Sequence, residues 1–158
     1  MIFQTPTTHF FTCGASEGHS RINSYDGAVL AANVGHANLV KIRAIIPPKS
    51  RLVEPHALPP GALVPVAYAA ITSDLPGEVI SAGIAAAYPT DAEKAGLVME
   101  YSARGHKEDI EAIVRRLAEE GLKMRGLEVK DIRSISVQHK VEKIGTAFAA
   151  AVLWDQDK

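Results

Sequence analysis

With 158 residues, 47% of them hydrophobic, the chain can bury one sizeable core but is short for two independent ones, so a single domain over residues 1–158 is expected. Seventeen Lys and Arg against 18 Asp and Glu leave a net charge of -1 with no block of like charge, which argues against a nucleic-acid-binding surface. The lone Cys13 has no intramolecular disulfide partner, the opening MIFQTPTTHFF has neither a basic leader nor a signal-length apolar stretch, and no apolar run reaches the ~20 residues of a membrane span, so a cytoplasmic protein is expected.

In chain order, THFFTCG (8–14) has strand character and GASEGHSRINS (14–24) reads as a glycine- and serine-rich loop. SYDGAVLAANVG (24–35) looks helical, with Ser24 or Asp26 able to cap its first amides and Gly35 able to close it in a left-handed conformation. HANLVKIRAIIPP (36–48) reads as a strand running into two prolines, with Arg43 and Ala44 at its middle. The five prolines of 47–61 predict an extended surface connection. Three stretches rich in small residues, 62–74, 78–89 and 96–105, read as central strands packed closely against other backbone. The clearest helix is 106–126, where Ile110, Ile113, Val114 and Leu117 share a face and acids precede bases, as the macrodipole favours. Segments 131–143 and 145–155 predict a closing hairpin through Lys143, Ile144 and Gly145. This order gives a mixed α/β class of the α+β type with a largely antiparallel sheet, because the short links leave no room for parallel crossovers.

Spacing alone says less about chemistry. The six histidines are scattered without an i, i+4 pair or a cysteine partner, so no metal site is expected. GASEGHS lacks both the lysine of a P-loop and the spacing of a dinucleotide-binding turn. Cys13 has no basic neighbour in sequence to activate it and reads as a small core residue. Two carboxylates stand out: Asp26, whose plain structural reading is a helix cap, and Glu100, set in the apolar run GLVMEY. Glu100 reads either as a solvent-facing strand position or as a proton donor with a pKa raised by its apolar neighbours.

The segments YDGAVLAANVGHANLVKI, IIPP, LPPGALVPVAYAAITSDLPGE, GLVMEY, MRGLE and VEKIGTAFAAAVLW, in that order, resemble the pyruvoyl-dependent arginine decarboxylases, and the resemblance runs from about Gly14 to Trp154. It implies a four-layer αββα sandwich with mostly antiparallel sheets, assembled as a homotrimer or a pair of trimers with active sites between subunits. The implied reaction converts L-arginine to agmatine and carbon dioxide, a step of polyamine metabolism. In such enzymes a serine hydroxyl attacks the preceding peptide carbonyl, and the ester formed eliminates. The chain is thereby cut and left with a pyruvoyl ketone as electron sink.

The resemblance places that cut in a Ser-Ser pair, or a close variant, directly before Ile-x-Pro-Pro, where this sequence has Arg43 and Ala44. Ala44 offers a methyl where the acyl shift needs a hydroxyl, so no pyruvoyl cofactor is expected; Ser50, beyond the prolines, has the hydroxyl in the wrong context. Around the gap the implied residue types are kept. Asp26 matches the acid that holds the substrate's guanidinium, with Gly35 in the same substrate-binding set, Asn38 matches the residue that orients the reactive carbonyl, and Glu100 matches the proton donor. Arg43 is either tolerated or fills the vacated site with its own guanidinium.

Three classes of function are then open. One is cofactor-free chemistry on a small amine or arginine-like ligand, with Glu100 as acid or base and Arg43 binding an anion. Another is a noncatalytic subunit that regulates a processed paralogue. The third, a proenzyme trapped by mutation, leaves Arg43 as an unexplained second difference.

Overall fold

The computed structural model of the chain describes residues 4–43 and 45–156. In chain order the elements are β1 (Thr8–Glu17), α1 (Arg21–Ala31), β2 (Asn38–Lys41), β3 (Ile45–Ile46), β4 (Arg51–Leu52), β5 (Leu63–Ser73), β6 (Val79–Pro89), β7 (Gly96–Arg104), α2 (Lys107–Met124), β8 (Val129–Lys140) and β9 (Gly145–Leu153). One sheet runs β2-β5-β9-β1-β4 and the other β3-β7-β6-β8. The two sheets pack face to face, α1 covers the outside of the first and α2 the outside of the second, which makes the αββα sandwich.

The pleat explains the layers, because successive side chains of a strand point to opposite faces. Along β9, Phe148, Ala150 and Val152 face α1, whereas Ala147, Ala149 and Ala151 meet the second sheet. All nine residues of β9 are therefore buried, as a strand covered on both faces requires. The surface between the sheets is built largely from alanines, including Ala67, Ala69, Ala82 and Ala86, which lets the backbones approach closely. Gly14 does the same on the outer face. A Cβ there would lie 2.5 Å from the Ala28 carbonyl oxygen and 2.6 Å from the Ala32 nitrogen, so α1 rests directly on β1.

The three strands expected to be central, β5, β6 and β7, each have a neighbour on both sides. Several other expectations need correction. The first strand extends through the supposed loop to Glu17, and α1 starts at Arg21, capped by Ser20, whose hydroxyl accepts the Asn23 N–H at 3.0 Å. Ser24 and Asp26 are thus inside the helix and cap nothing. The left-handed residue after it is Asn33 (φ 63°), not Gly35. The strand read over 36–48 is two strands in different sheets, and the proline-rich connection contains β4. Ile110 and Val114 of α2 are buried with Ala118 and Leu122, while Ile113 and Leu117 lie at the rim, 37% and 39% exposed.

The closing hairpin does not form. β8 pairs with β6 in the second sheet and β9 lies between β5 and β1 in the first, so the tight connection between them crosses from one sheet to the other. The physical reason is burial: β9 is apolar on both faces and needs a central place, which pairing with β8 at an edge would not give it. Parallel pairs also occur: the connection through α1 brings β4 back beside β1, and the long proline-rich connection brings β5 back beside β2.

Glu17 holds that crossing in place. Its carboxylate accepts the backbone N–H groups of Lys143 (2.8 Å), Ile144 (3.2 Å) and Glu142 (3.3 Å), and the His139 ring donates to it from Nε2 at 2.5 Å. Partial burial works to raise its pKa, but the hydrogen bonds from His139, Lys143 and Glu142 outweigh it and hold the carboxyl below the usual carboxylate range. A depressed folded-state pKa contributes stability that is present above the unfolded value of about 4.3 and is lost as pH falls through the folded value. Glu17→Gln should therefore cost about 1 kcal/mol at pH 7, solvent screening included, and the gap between the thermal melts of the two proteins should narrow as pH falls below the unfolded value. A pH-independent gap between the two would remove the carboxylate from this role.

Candidate functional site

The chain changes sheets at residues 42–45, and the candidate site is built around that crossing. β2 runs parallel to β5, with Asn38 opposite Leu63 and Lys41 opposite Val66, and the Ile42 N–H still donates to the Val66 carbonyl at 3.0 Å. The chain then leaves the first sheet and joins the second as β3, with Ile45 opposite Leu97 and Ile46 opposite Gly96 on β7. Arg43 sits at the crossing with an exposed side chain, and its backbone carbonyl accepts the Ile45 N–H at 3.0 Å. Ala44 lies outside the described residues.

Alternation on β7 aims the next group. Leu97, Met99 and Tyr101 pack toward α2, so Val98, Glu100 and Ser102 face the other sheet. Ser102 accordingly donates to the Ala70 carbonyl of β5 at 3.1 Å, and Glu100 Oε1 lies 3.3 Å from Lys41 Nζ. Glu100 is thus neither an outward strand position nor an isolated carboxyl; its charge is met by a lysine from the opposite sheet. Its second oxygen, Oε2, is buried and has no hydrogen-bond partner among the described residues.

Lys41 is held from the other side by an aromatic group. Its ammonium lies 4.6 Å from the Tyr68 ring centroid, within cation–π range. Tyr68 is 5.4 Å from Phe148 and 6.4 Å from Tyr25, and Tyr25 meets Phe148 edge-on at 6.1 Å. Burial, then its hydrogen bond and proximity to Tyr68, and then the Asp26 charge push the Tyr25 phenol above its ordinary pKa, so it stays neutral. A string of contacts therefore runs from α1 through Tyr25, Tyr68 and Lys41 to Glu100.

Glu100 is joined in this way to the helix that carries Asp26, whose own carboxylate is exposed on α1. Asn38 is exposed on the same edge strand as Lys41, with its side-chain amide donated to the Gly61 carbonyl at 2.9 Å. Gly35 lies where a Cβ would fall 2.5 Å from Leu30 Cδ2, so its lack of a side chain allows the chain to fold back over α1 toward β2. Arg43 forms no ion pair among the described residues. The cation at Glu100 is Lys41, which the sequence reading passed over although it stands two residues before Arg43.

Cys13 is half-buried between the sheets; burial first raises its pKa, with Lys107 and Glu111 acting in opposite directions, as suits a packing residue. Among the described residues no group of three or more His, Cys, Asp or Glu could hold a metal ion, and no helix is long and apolar enough to cross a membrane.

The family model for pyruvoyl-dependent arginine decarboxylase matches residues 8–158. The chain belongs to the pyruvoyl-dependent arginine decarboxylase family. It is 49% identical over 152 residues to the pyruvoyl-dependent arginine decarboxylase of Methanocaldococcus jannaschii, an alignment covering 96% of this chain and 92% of the relative. It is 37% identical over 155 residues to that of Pyrococcus abyssi, covering 97% and 98%. Within this decarboxylase family, the crossing at residues 42–45 is the segment in which the sequence reading places the processing position. The Lys41–Glu100 pair lies beside it.

Proposed function

We propose that the chain is an arginine decarboxylase homologue that makes no pyruvoyl group of its own and keeps a pocket for arginine or a similar amine. The observation that carries this reading is the unpartnered Glu100 Oε2. A buried carboxylate oxygen without a donor is costly, and an ammonium or guanidinium N–H would satisfy it with a charge-assisted bond. Asp26 supplies a second carboxylate suited to the guanidinium end of the same ligand.

A pyruvoyl group is made from a serine's own atoms, and the alanine at position 44 supplies no oxygen for the first step. The residues present do not fit the group. Loss of carbon dioxide leaves a carbanion that needs an electron sink, which favours binding, or proton transfer at Glu100, over decarboxylation. The reading includes a homotrimer or a pair of trimers. Val40 (44% exposed) and Leu63 (58%), on the paired β2 and β5, give the sheet edge an apolar surface suited to a second copy.

Calorimetric titration with agmatine and with L-arginine tests the pocket. Binding is expected, weakened about tenfold by Asp26→Ala and by Glu100→Gln, the equivalent of ~1.4 kcal/mol each. Equal affinity in all three proteins, or no binding by the unaltered one, would remove the pocket from the account.

A further inference from the structure

Beside Pro47 lies an open cavity of about 290 Å³ that is lined by none of Asp26, Asn38, Lys41, Arg43 and Glu100. Ser50 and Tyr88 both line it, and behind them stands His9, which is fully buried on β1. The His9 ring bridges the two hydroxyls: Nδ1 is 2.9 Å from Ser50 Oγ and Nε2 is 2.8 Å from the Tyr88 oxygen. These three residues come from distant parts of the chain. Ser50 is presented by a turn in which its N–H donates to the Pro47 carbonyl at 3.1 Å and Lys49 takes a left-handed conformation (φ 67°), uncommon for a residue with a side chain.

Burial lowers the His9 pKa to about 4, so the ring is neutral at physiological pH and carries one N–H. The trio then holds three exchangeable protons: one on the ring and one on each hydroxyl. Its two internal hydrogen bonds use two of them. In one tautomer His9 donates to Ser50 and accepts from Tyr88, leaving the Ser50 O–H free; in the other the Tyr88 O–H is free. Either way one hydroxyl proton is left to be donated to an outside acceptor. A neutral imidazole with no carboxylate behind it is a weak base, so the trio is poorly suited to activating Ser50 as a nucleophile.

The cavity wall adds positive charge. Lys49, Lys94, Lys130 and Arg133 line it, against the carboxylates of Asp91 and Asp131. Arg133 is paired with Asp131 at 2.8 Å and Lys49 with Glu93 at 3.0 Å, whereas Lys94 and Lys130 form no ion pair among the described residues. We propose that this cavity binds a small oxyanion, the phosphate or carboxylate group of a small molecule, through Lys94, Lys130 and the free hydroxyl of the Ser50–His9–Tyr88 relay. The site is independent of the Glu100 pocket.

Titration calorimetry of the full chain at low salt, with inorganic phosphate in one arm and malonate in the other, tests the site and separates its two chemistries. Binding of at least one anion is expected. Lys94→Ala with Lys130→Ala should weaken it tenfold or more while leaving the anion-free melting temperature unchanged, because both side chains are on the surface. Ser50→Ala with Tyr88→Phe should weaken it about fivefold, and Lys140→Ala, an exposed cation away from the cavity, should leave it unchanged. No heat from either anion, full binding by the double lysine variant, or an equal loss in Lys140→Ala would each overturn the proposal.

Discussion

A chain carrying Ala44→Ser is expected to cut itself between residues 43 and 44, where the present sequence should give one uncut chain. The carbonyl that a residue-44 hydroxyl would attack belongs to Arg43, and it already accepts the Ile45 N–H at 3.0 Å, a donor placed to stabilise charge developing on that oxygen. The Arg43 side chain is exposed, and the cation paired with Glu100 is Lys41. Removing it as well, in Arg43→Ser with Ala44→Ser, should therefore change the rate only modestly. The sequence alone left open that the arginine would have to go. Intact-mass measurement reads the outcome as one species or two. If both variants fold and stay whole over days, the crossing has diverged beyond a single hydroxyl.

Phe148→Ala should be the most damaging single truncation near the site, at about 3–5 kcal/mol. Phe148 is completely buried on β9 under α1 and touches both Tyr25 and Tyr68, so its loss removes core volume and the support of Tyr68, the ring that holds Lys41. Denaturant titration should show the midpoint falling at unchanged slope, and Phe148→Leu should recover most of the loss because volume is largely kept. A loss below about 1 kcal/mol for the alanine variant would mean that the aromatic cluster is not a structural base for the site. Weakened agmatine binding under conditions where Phe148→Ala is still folded would tie the cluster to the pocket as well.

What could be read from the sequence follows the range of the interactions. α2 and strands β5 to β7 announce themselves through local periodicity and small residues, and their bounds lie close to those expected. The α1 cap is not legible locally, because Ser20 and Ser24 are equivalent by residue type and only the approach of Gly14 to Ala28 and Ala32 fixes where the helix rests. The partners of β8 and β9 are not legible locally either, because a short turn looks the same whether it joins neighbours in one sheet or crosses between two. What decides it is the burial of β9 on both faces, a property of the assembled sandwich.

The site was legible in part for the same reason. Asp26, Asn38 and Glu100 could be matched position by position to a family pattern, whereas the Lys41–Glu100 pair joins two sheets and leaves no local trace. A lysine at the end of a short strand reads as a solvated edge residue. Only the alternation of β7, set by Leu97 and Met99 packing on α2, turns Glu100 toward it. His9 likewise looked like any scattered histidine until the fold brought Ser50 and Tyr88 to its two nitrogens.

The most direct test of the central claim is the intact mass of the purified, unaltered protein under denaturing conditions. The account predicts a single species at the mass of the uncut chain. A pair of fragments divided at residues 43 and 44, with a ketone-bearing N-terminus on the second, would contradict it.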